Sequence, residues 1–304
     1  MRVAVLDDYQ QVARELAPWE GLDVDFFADH VAEDDAVIAR LEPYEAVVAM
    51  RERTPFPRAR LERLPNLKLL VTTGMGNASI DVGAAAELGI VVSGTRLLGS
   101  PTAELTWGLI LAVTRNIPAE DRAIRDGGWQ HTIGPELAGK TLGIVGLGRL
   151  GTRVAAIARA FEMDVIAWSQ NLRAPEAVSR EELFERADIV TVHLVLSDRT
   201  RGLIGAEDLA RMKPTAYLVN TSRGPIVDEA ALLDALHGGR IAGAALDVYD
   251  VEPLPPDHPL RTAPNTVLTP HIGYVTTGAY EAAYQDAVED IEAFRRGEPV
   301  RVLG

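Results

Sequence analysis

Cysteine is absent from the 304 residues, which removes disulfides and thiolate chemistry and suits a reducing cytoplasm. No run of 18 or more apolar residues occurs, so no membrane-spanning helix is expected. Lysine is found only as Lys68, Lys140 and Lys213, and nearly all positive charge is arginine. Basic residues are outnumbered, giving a formal charge of −14. That balance disfavours non-specific binding to nucleic acid or to an anionic membrane. No metal-ligand spacing, nucleophile–base motif, internal repeat or low-complexity segment is present. The opening Met1-Arg-Val-Ala-Val-Leu is strand-like and lacks a cleavage-site pattern, which argues against a signal peptide. With 47% hydrophobic and 24% charged residues, the expectation is a soluble cytoplasmic protein long enough for two domains.

What is present is strand–helix alternation. In the first hundred residues, strands are predicted at 3–7, 24–28, 46–50, 67–72 and 90–93, with helices at 10–16, 32–41, 58–64 and 82–88. Such spacing favours an α/β fold with a parallel sheet covered on both faces. Residues 101–117 form a long apolar helical stretch, read as a buried linker helix and a candidate for a subunit interface. A second series has strands at 141–145, 164–168, 189–193, 216–220, 243–246 and 266–269, with helices starting near 148, 180, 206 and 228. A last amphipathic helix, 277–296, ends at Arg295-Arg-Gly297.

Gly146-Leu-Gly148-Arg-Leu-Gly151 follows an apolar strand and precedes a helix expected at 153–161. Its glycines permit a tight turn, close approach of backbone to a pyrophosphate, and helix–strand packing. The helix N-terminus then faces the phosphates. An acidic residue about 20 residues further on would bind the ribose 2′-hydroxyl of NAD. The stretch Ala167-Trp-Ser169-Gln-Asn-Leu-Arg173 holds none. Ser169, Gln170 and Arg173 could accept a 2′-phosphate instead, so the reading leans to NADP and leaves NAD open. Gly74-Met-Gly76-Asn-Ala-Ser79 resembles a second fingerprint but lacks the third glycine. It reads either as a turn whose amides bind an anion, such as a substrate carboxylate, or as a packing turn.

Three polar signals follow predicted strands at the carboxyl edge, where open α/β sheets bind ligands. They are Asn220-Thr-Ser-Arg223-Gly, Asp247-Val-Tyr-Asp-Val-Glu252-Pro and Thr269-Pro-His271-Ile-Gly. Arginine can hold a carboxylate through two parallel hydrogen bonds. A histidine beside a carboxylate partner, Glu252, favours its imidazolium form and suits proton donation to a carbonyl oxygen. The other histidines read as loop, helix or core residues. Arg51, after strand 46–50, is either a surface arginine or a ligand for a second anionic group on the substrate.

Together these motifs resemble the D-isomer-specific 2-hydroxyacid dehydrogenase family over almost the full chain. The resemblance rests on Gly74-Met-Gly-Asn-Ala-Ser-Ile-Asp81, the 146–151 turn, Val219-Asn-Thr-Ser-Arg-Gly-Pro-Ile-Val-Asp228, Ala245-Leu-Asp-Val-Tyr-Asp-Val-Glu-Pro253 and Asn265-Thr-Val-Leu-Thr-Pro-His-Ile-Gly273. It implies a discontinuous flavodoxin-like substrate domain, 1–97 with 277–304, and an inserted Rossmann domain, 98–276. It implies hydride transfer between NAD(P)H and C2 of a small 2-oxo acid, with Arg223, Glu252 and His271 catalytic. Met75, Gly76 and Arg223 would hold the substrate carboxylate, and Asp247 the nicotinamide carboxamide. Further cofactor contacts fall on Arg149, Leu150, Leu194, Val195, Thr221, Ser222 and Gly273, and Tyr274 would line the pocket mouth. A homodimer joined through the Rossmann domain is implied as well. Two departures stand out: Ser169 replaces an aspartate common in the family, and His193-Leu-Val195 lacks a customary proline. A non-catalytic, nucleotide-sensing regulator on the same fold is the alternative reading.

Overall fold

A computed structural model describes residues 1–96 and 98–304. The domain boundary expected at residue 97 therefore lies outside the described residues. The chain divides into two compact units, Met1–Leu98 with Thr276–Gly304, and Gly99–Val275.

In the first unit, β1 (Arg2–Val5), β2 (Asp23–Phe26), β3 (Ala46–Ala49), β4 (Leu69–Thr72) and β5 (Val91–Gly94) form one parallel sheet ordered β2-β1-β3-β4-β5. This 2-1-3-4-5 order is that of flavodoxin-like doubly wound proteins. Strands β3 and β4 are buried at every residue, as unbroken apolar runs require when helices cover both faces. The helix Thr277–Arg295 returns to this unit and buries Tyr284, Ala287 and Ile291. Thr276 caps it by accepting from the Ala279 amide. The helix expected at 10–16 shrinks to Ala13–Leu16. The buried Asp8 carboxylate accepts from the amides of Val12 and Ala13 and holds the preceding residues in a turn.

The second unit contains β6 (Thr141–Val145), β7 (Asp164–Trp168), β8 (Ile189–Val192), β9 (Tyr217–Asn220), β10 (Gly243–Leu246) and β11 (Thr266–Leu268), ordered β11-β10-β9-β8-β6-β7 and parallel throughout. Ala177 adds a parallel bridge outside β7, with the Ala167 amide donating to Glu176 O at 2.7 Å and the Val178 amide to Ala167 O at 3.0 Å. Counting that bridge as a one-residue strand, the order is 3-2-1-4-5-6 with β11 appended, which is the Rossmann arrangement. Val190, Leu218 and Ala244 pack on one face. Ile144, Val219 and Ala245 pack on the other, with Trp107 and Ile110 of the helix Ser100–Thr114. Strand order reverses between β6 and β8, which opens a crevice at their carboxyl ends.

The helix after the glycine turn is Arg149–Ala160, beginning beside residue 148 as the strand–helix series placed it and ahead of the 153 start expected from the glycine motif. The apolar stretch 101–117 ends at Thr114, and a second helix, Ile117–Arg125, follows the left-handed Asn116.

Candidate active site

The 146–151 turn is shaped by contacts that exclude side chains. Gly146 has φ +102°, and a Cβ there would sit 2.6 Å from His193 O. A Cβ on Gly151 would sit 2.3 Å from Gly146 O, so only glycine lets the helix pack this close to the turn. Gly148 faces open space on its Cβ side and is the helix N-cap, with no side-chain cap. A bare helix N-terminus behind an unobstructed glycine fits a dinucleotide's pyrophosphate.

After β7, the Leu172 amide closes a turn onto Ser169 O at 3.0 Å, leaving Gln170 and Arg173 exposed. Among the described residues, neither Arg149 nor Arg173 has an ion-pair partner. After β8, His193 Nε2 lies 2.9 Å from Thr191 Oγ1, while its Nδ1 is buried without a partner among the described residues. Burial pushes this histidine down to about 4, so it stays neutral. Val195 is almost fully exposed. The Ser222 hydroxyl donates to Leu194 O at 3.0 Å and ties the loop after β9 to the loop after β8. The Thr221 hydroxyl lies against Thr106 Oγ1, buried and turned from the sheet edge.

Strands β9, β10 and β11 are neighbours, and Arg223, Glu252 and His271 follow their carboxyl ends. Asn220 shapes the first loop, accepting from the Ser222 amide and donating to Arg223 O. Arg223 donates through Nη1 to Ser222 O at 2.7 Å. His271 Nδ1 lies 2.6 Å from Glu252 Oε2, with the two side chains 18% and 31% exposed. Both groups are thus accessible enough to meet a ligand yet held to one another. His271 has φ +52°, and the Tyr274 ring stands edge-on to its imidazole. Asp247 is fully buried and accepts from the Thr269 hydroxyl and the amides of Ile272 and Gly273. Burial raises its carboxyl above the usual range, opposed by these three donors. Both its oxygens are engaged with the histidine loop.

On the first unit, Gly74 also has φ +102°, and its amide donates to Thr95 Oγ1. Met75 and Gly76 are exposed at the carboxyl end of β4. Arg51 is no solvated surface residue: its side chain is 11% exposed, and Nη1 donates to Thr73 O at 2.8 Å and Gly76 O at 3.4 Å. It braces the very turn that presents those amides. Tyr249, which sequence reasoning passed over, donates its amide to Glu252 Oε1 at 2.9 Å and its hydroxyl to Thr269 O at 2.9 Å.

Known proteins are similar to this chain in sequence and fold. The family model described as D-isomer specific 2-hydroxyacid dehydrogenase, NAD binding domain, matches residues 107–273. A glyoxylate reductase from Thermofilum pendens is 43% identical over 253 residues, 78% of this chain and 75% of that protein. The crystal structure of a phosphoglycerate oxidoreductase from Vibrio cholerae superposes with a TM-score of 0.94 at 39% identity, covering 98% of this chain and 99% of the other. An acyclic imino acid reductase, solved with NADPH and D-Arg, superposes with a TM-score of 0.78 at 28% identity, covering both chains fully.

Proposed function

Because the chain belongs to the D-isomer-specific 2-hydroxyacid dehydrogenase family, we propose that His271, Glu252 and Arg223 carry its chemistry on a short 2-oxo acid such as glyoxylate. The reaction class is NAD(P)-dependent hydride transfer between a 2-oxo acid and the corresponding D-2-hydroxy acid. The observation that carries the residue assignment is the 2.6 Å contact between His271 Nδ1 and Glu252 Oε2 at the carboxyl edge of the nucleotide-type sheet.

When bound, the reduced nicotinamide supplies the hydride. With Nδ1 engaged by Glu252, His271 presents Nε2 as the proton donor to the carbonyl oxygen. Glu252 compensates the imidazolium charge and fixes the ring. Arg223 binds the carboxylate of the 2-oxo acid and polarises the carbonyl beside it. On the first unit, the Met75 and Gly76 amides offer a carboxylate site, and Arg51 braces it. A direct role of Arg51 toward a second anionic group belongs to the same reading.

For the cofactor, the 146–151 turn takes the pyrophosphate with Arg149, Leu150 and Gly151. Leu194, Val195, Thr221, Ser222, Asp247 and Gly273 complete the contacts, Thr221 through its backbone. The lack of a carboxylate at Ser169 and the positions of Gln170, Arg149 and Arg173 favour NADP over NAD. The NADPH held by the imino acid reductase is consistent with this lean.

Among the described residues no helix is long and apolar enough to cross a membrane, and with no cysteine in the chain we read the enzyme as cytoplasmic. We also read it as a homodimer through the Gly99–Val275 unit. The helix Ser100–Thr114 is largely buried by its own unit. The apolar surface lies beyond it, where Ile117, Ile124 and Trp129 line a groove of about 640 Å³ and are at least half exposed. Such an exposed apolar groove supports a partner surface there.

A kinetic panel of 2-oxo acids against NADH and NADPH tests the reading. Turnover is expected with glyoxylate or a close analogue, with the higher kcat/KM on NADPH. A preference for NADH would reverse the cofactor assignment, and no turnover on any 2-oxo acid would reject the substrate class.

A further inference from the structure

The loop that carries His271 is held in an uncommon shape. The His271 amide donates back to Thr269 O at 3.1 Å, a three-residue turn centred on Pro270. His271 itself then adopts φ +52°, a conformation non-glycine residues take only when the surroundings impose it. The segment 247–252 supplies the imposing contacts. Asp247 brackets the histidine, bonded to Thr269 on one side and to Ile272 and Gly273 on the other. Tyr249 adds a contact to the turn's own acceptor, its hydroxyl donating to Thr269 O at 2.9 Å.

The same tyrosine reaches the other two segments. Its amide donates to Glu252 Oε1, while Glu252 Oε2 meets His271 Nδ1. A Cβ on Gly224, the residue after Arg223, would lie 2.1 Å from the Tyr249 carbonyl carbon. The Arg223 segment therefore packs directly on the Tyr249 backbone. The tyrosine is 6% exposed. Burial, with Asp247 and Glu252 nearby, pushes its phenol far above the ordinary range, so it remains a neutral donor across the working pH.

We propose that Tyr249 is a positioning residue that registers the His271, Glu252 and Arg223 segments with one another, and that its hydroxyl sets the His271 turn. This rests on the assignment of His271 and Glu252 made above. A phenylalanine would fill the same volume and keep the backbone contacts to Glu252 and Gly224. It would leave Thr269 O with the His271 amide alone.

The test is Tyr249→Phe, measured for kcat, for KM of the 2-oxo acid and of the cofactor, and for melting temperature. One neutral hydrogen bond lost from the turn should lower kcat roughly 3- to 10-fold, with both KM values within about 2-fold of wild type. A merely structural role would lower the melting temperature and leave kcat at the wild-type value. Thr269→Val removes the Asp247 bond from the same turn and should give the same kcat-only signature. His271→Gln, run in parallel, separates the two claims. If it keeps turnover, the assignment of His271 fails. If it abolishes turnover while Tyr249→Phe matches wild type in kcat, or loses only KM, the proposal for Tyr249 is overturned.

Discussion

The chain makes nearly the same glycine turn twice, and the two turns part at one residue. Gly74 and Gly146 each follow a buried parallel strand, β4 and β6, and each has φ +102°. Gly76 and Gly148 both leave open space where a Cβ would be. Beyond that point, Gly151 lets the helix Arg149–Ala160 begin at once against the turn. In the other turn, Asn77 Oδ1 takes the Ser79 amide and hydroxyl, and the helix is deferred to Val82–Glu87 under an Asp81 cap. One turn thus ends in a bare helix N-terminus, suited to a pyrophosphate. The other offers only exposed amides at Met75 and Gly76, suited to a single carboxylate. The divergence at the third glycine is what would suit the two turns to different anions under the proposed function.

Gly151→Ala should break the difference outright. The added methyl meets Gly146 O at 2.3 Å, and overpacking of that kind costs about 1–3 kcal/mol. Cofactor binding, read by nicotinamide fluorescence, should weaken by roughly 10- to 100-fold. Ser79→Gly changes nothing in the nucleotide turn, so its cofactor affinity should match wild type. An equal loss in both variants would mean that the two turns are not specialised as described.

A smaller contrast lies in how each unit responds to pH. In the first unit, Asp290 is fully buried and pushed up to about 7 despite its contact with Arg301. In the second, His193 is pushed down to about 4. A raised carboxyl contributes stability that is fully present below its unfolded value, near 4, and is lost as pH rises through 7. A depressed histidine contributes stability that is present above its unfolded value, near 6.5, and is lost as pH falls toward 4. Between pH 4 and 6.5 the two oppose each other. Asp290→Asn should therefore make the melting temperature fall more steeply on acidification through that window, and His193→Asn should make it fall less. An Asp290→Asn profile parallel to wild type would remove Asp290 from this account.

Much of the architecture was legible because β-branched runs and glycine turns are local signals. Strand positions came within one or two residues for β3, β6 and β10. The Arg223, Glu252 and His271 positions stood out as polar residues at the ends of apolar strands. The Arg149 helix begins close to the expected residue 148, and its packing against the turn depends on the side chain that Gly151 lacks. The helix Ile117–Arg125 was not anticipated: Asn116 turns the chain in a left-handed conformation, and Pro118 sits in the first turn, where its absent amide is not needed. Ala177 pairs through a single bridge that no sequence pattern marks. Tyr249 was passed over because its function depends on the carbonyl of Thr269, 20 residues away in sequence. Only the fold brings the two together.

The central claim is that the edge bearing the nucleotide turn also bears the proton donor. The most direct measurement is turnover of His271→Ala against wild type with glyoxylate and NADPH, with cofactor affinity measured on the same samples. The account expects turnover to fall by roughly 10²- to 10⁴-fold, the contribution of a general acid, with cofactor affinity retained. Turnover within a few-fold of wild type would contradict it.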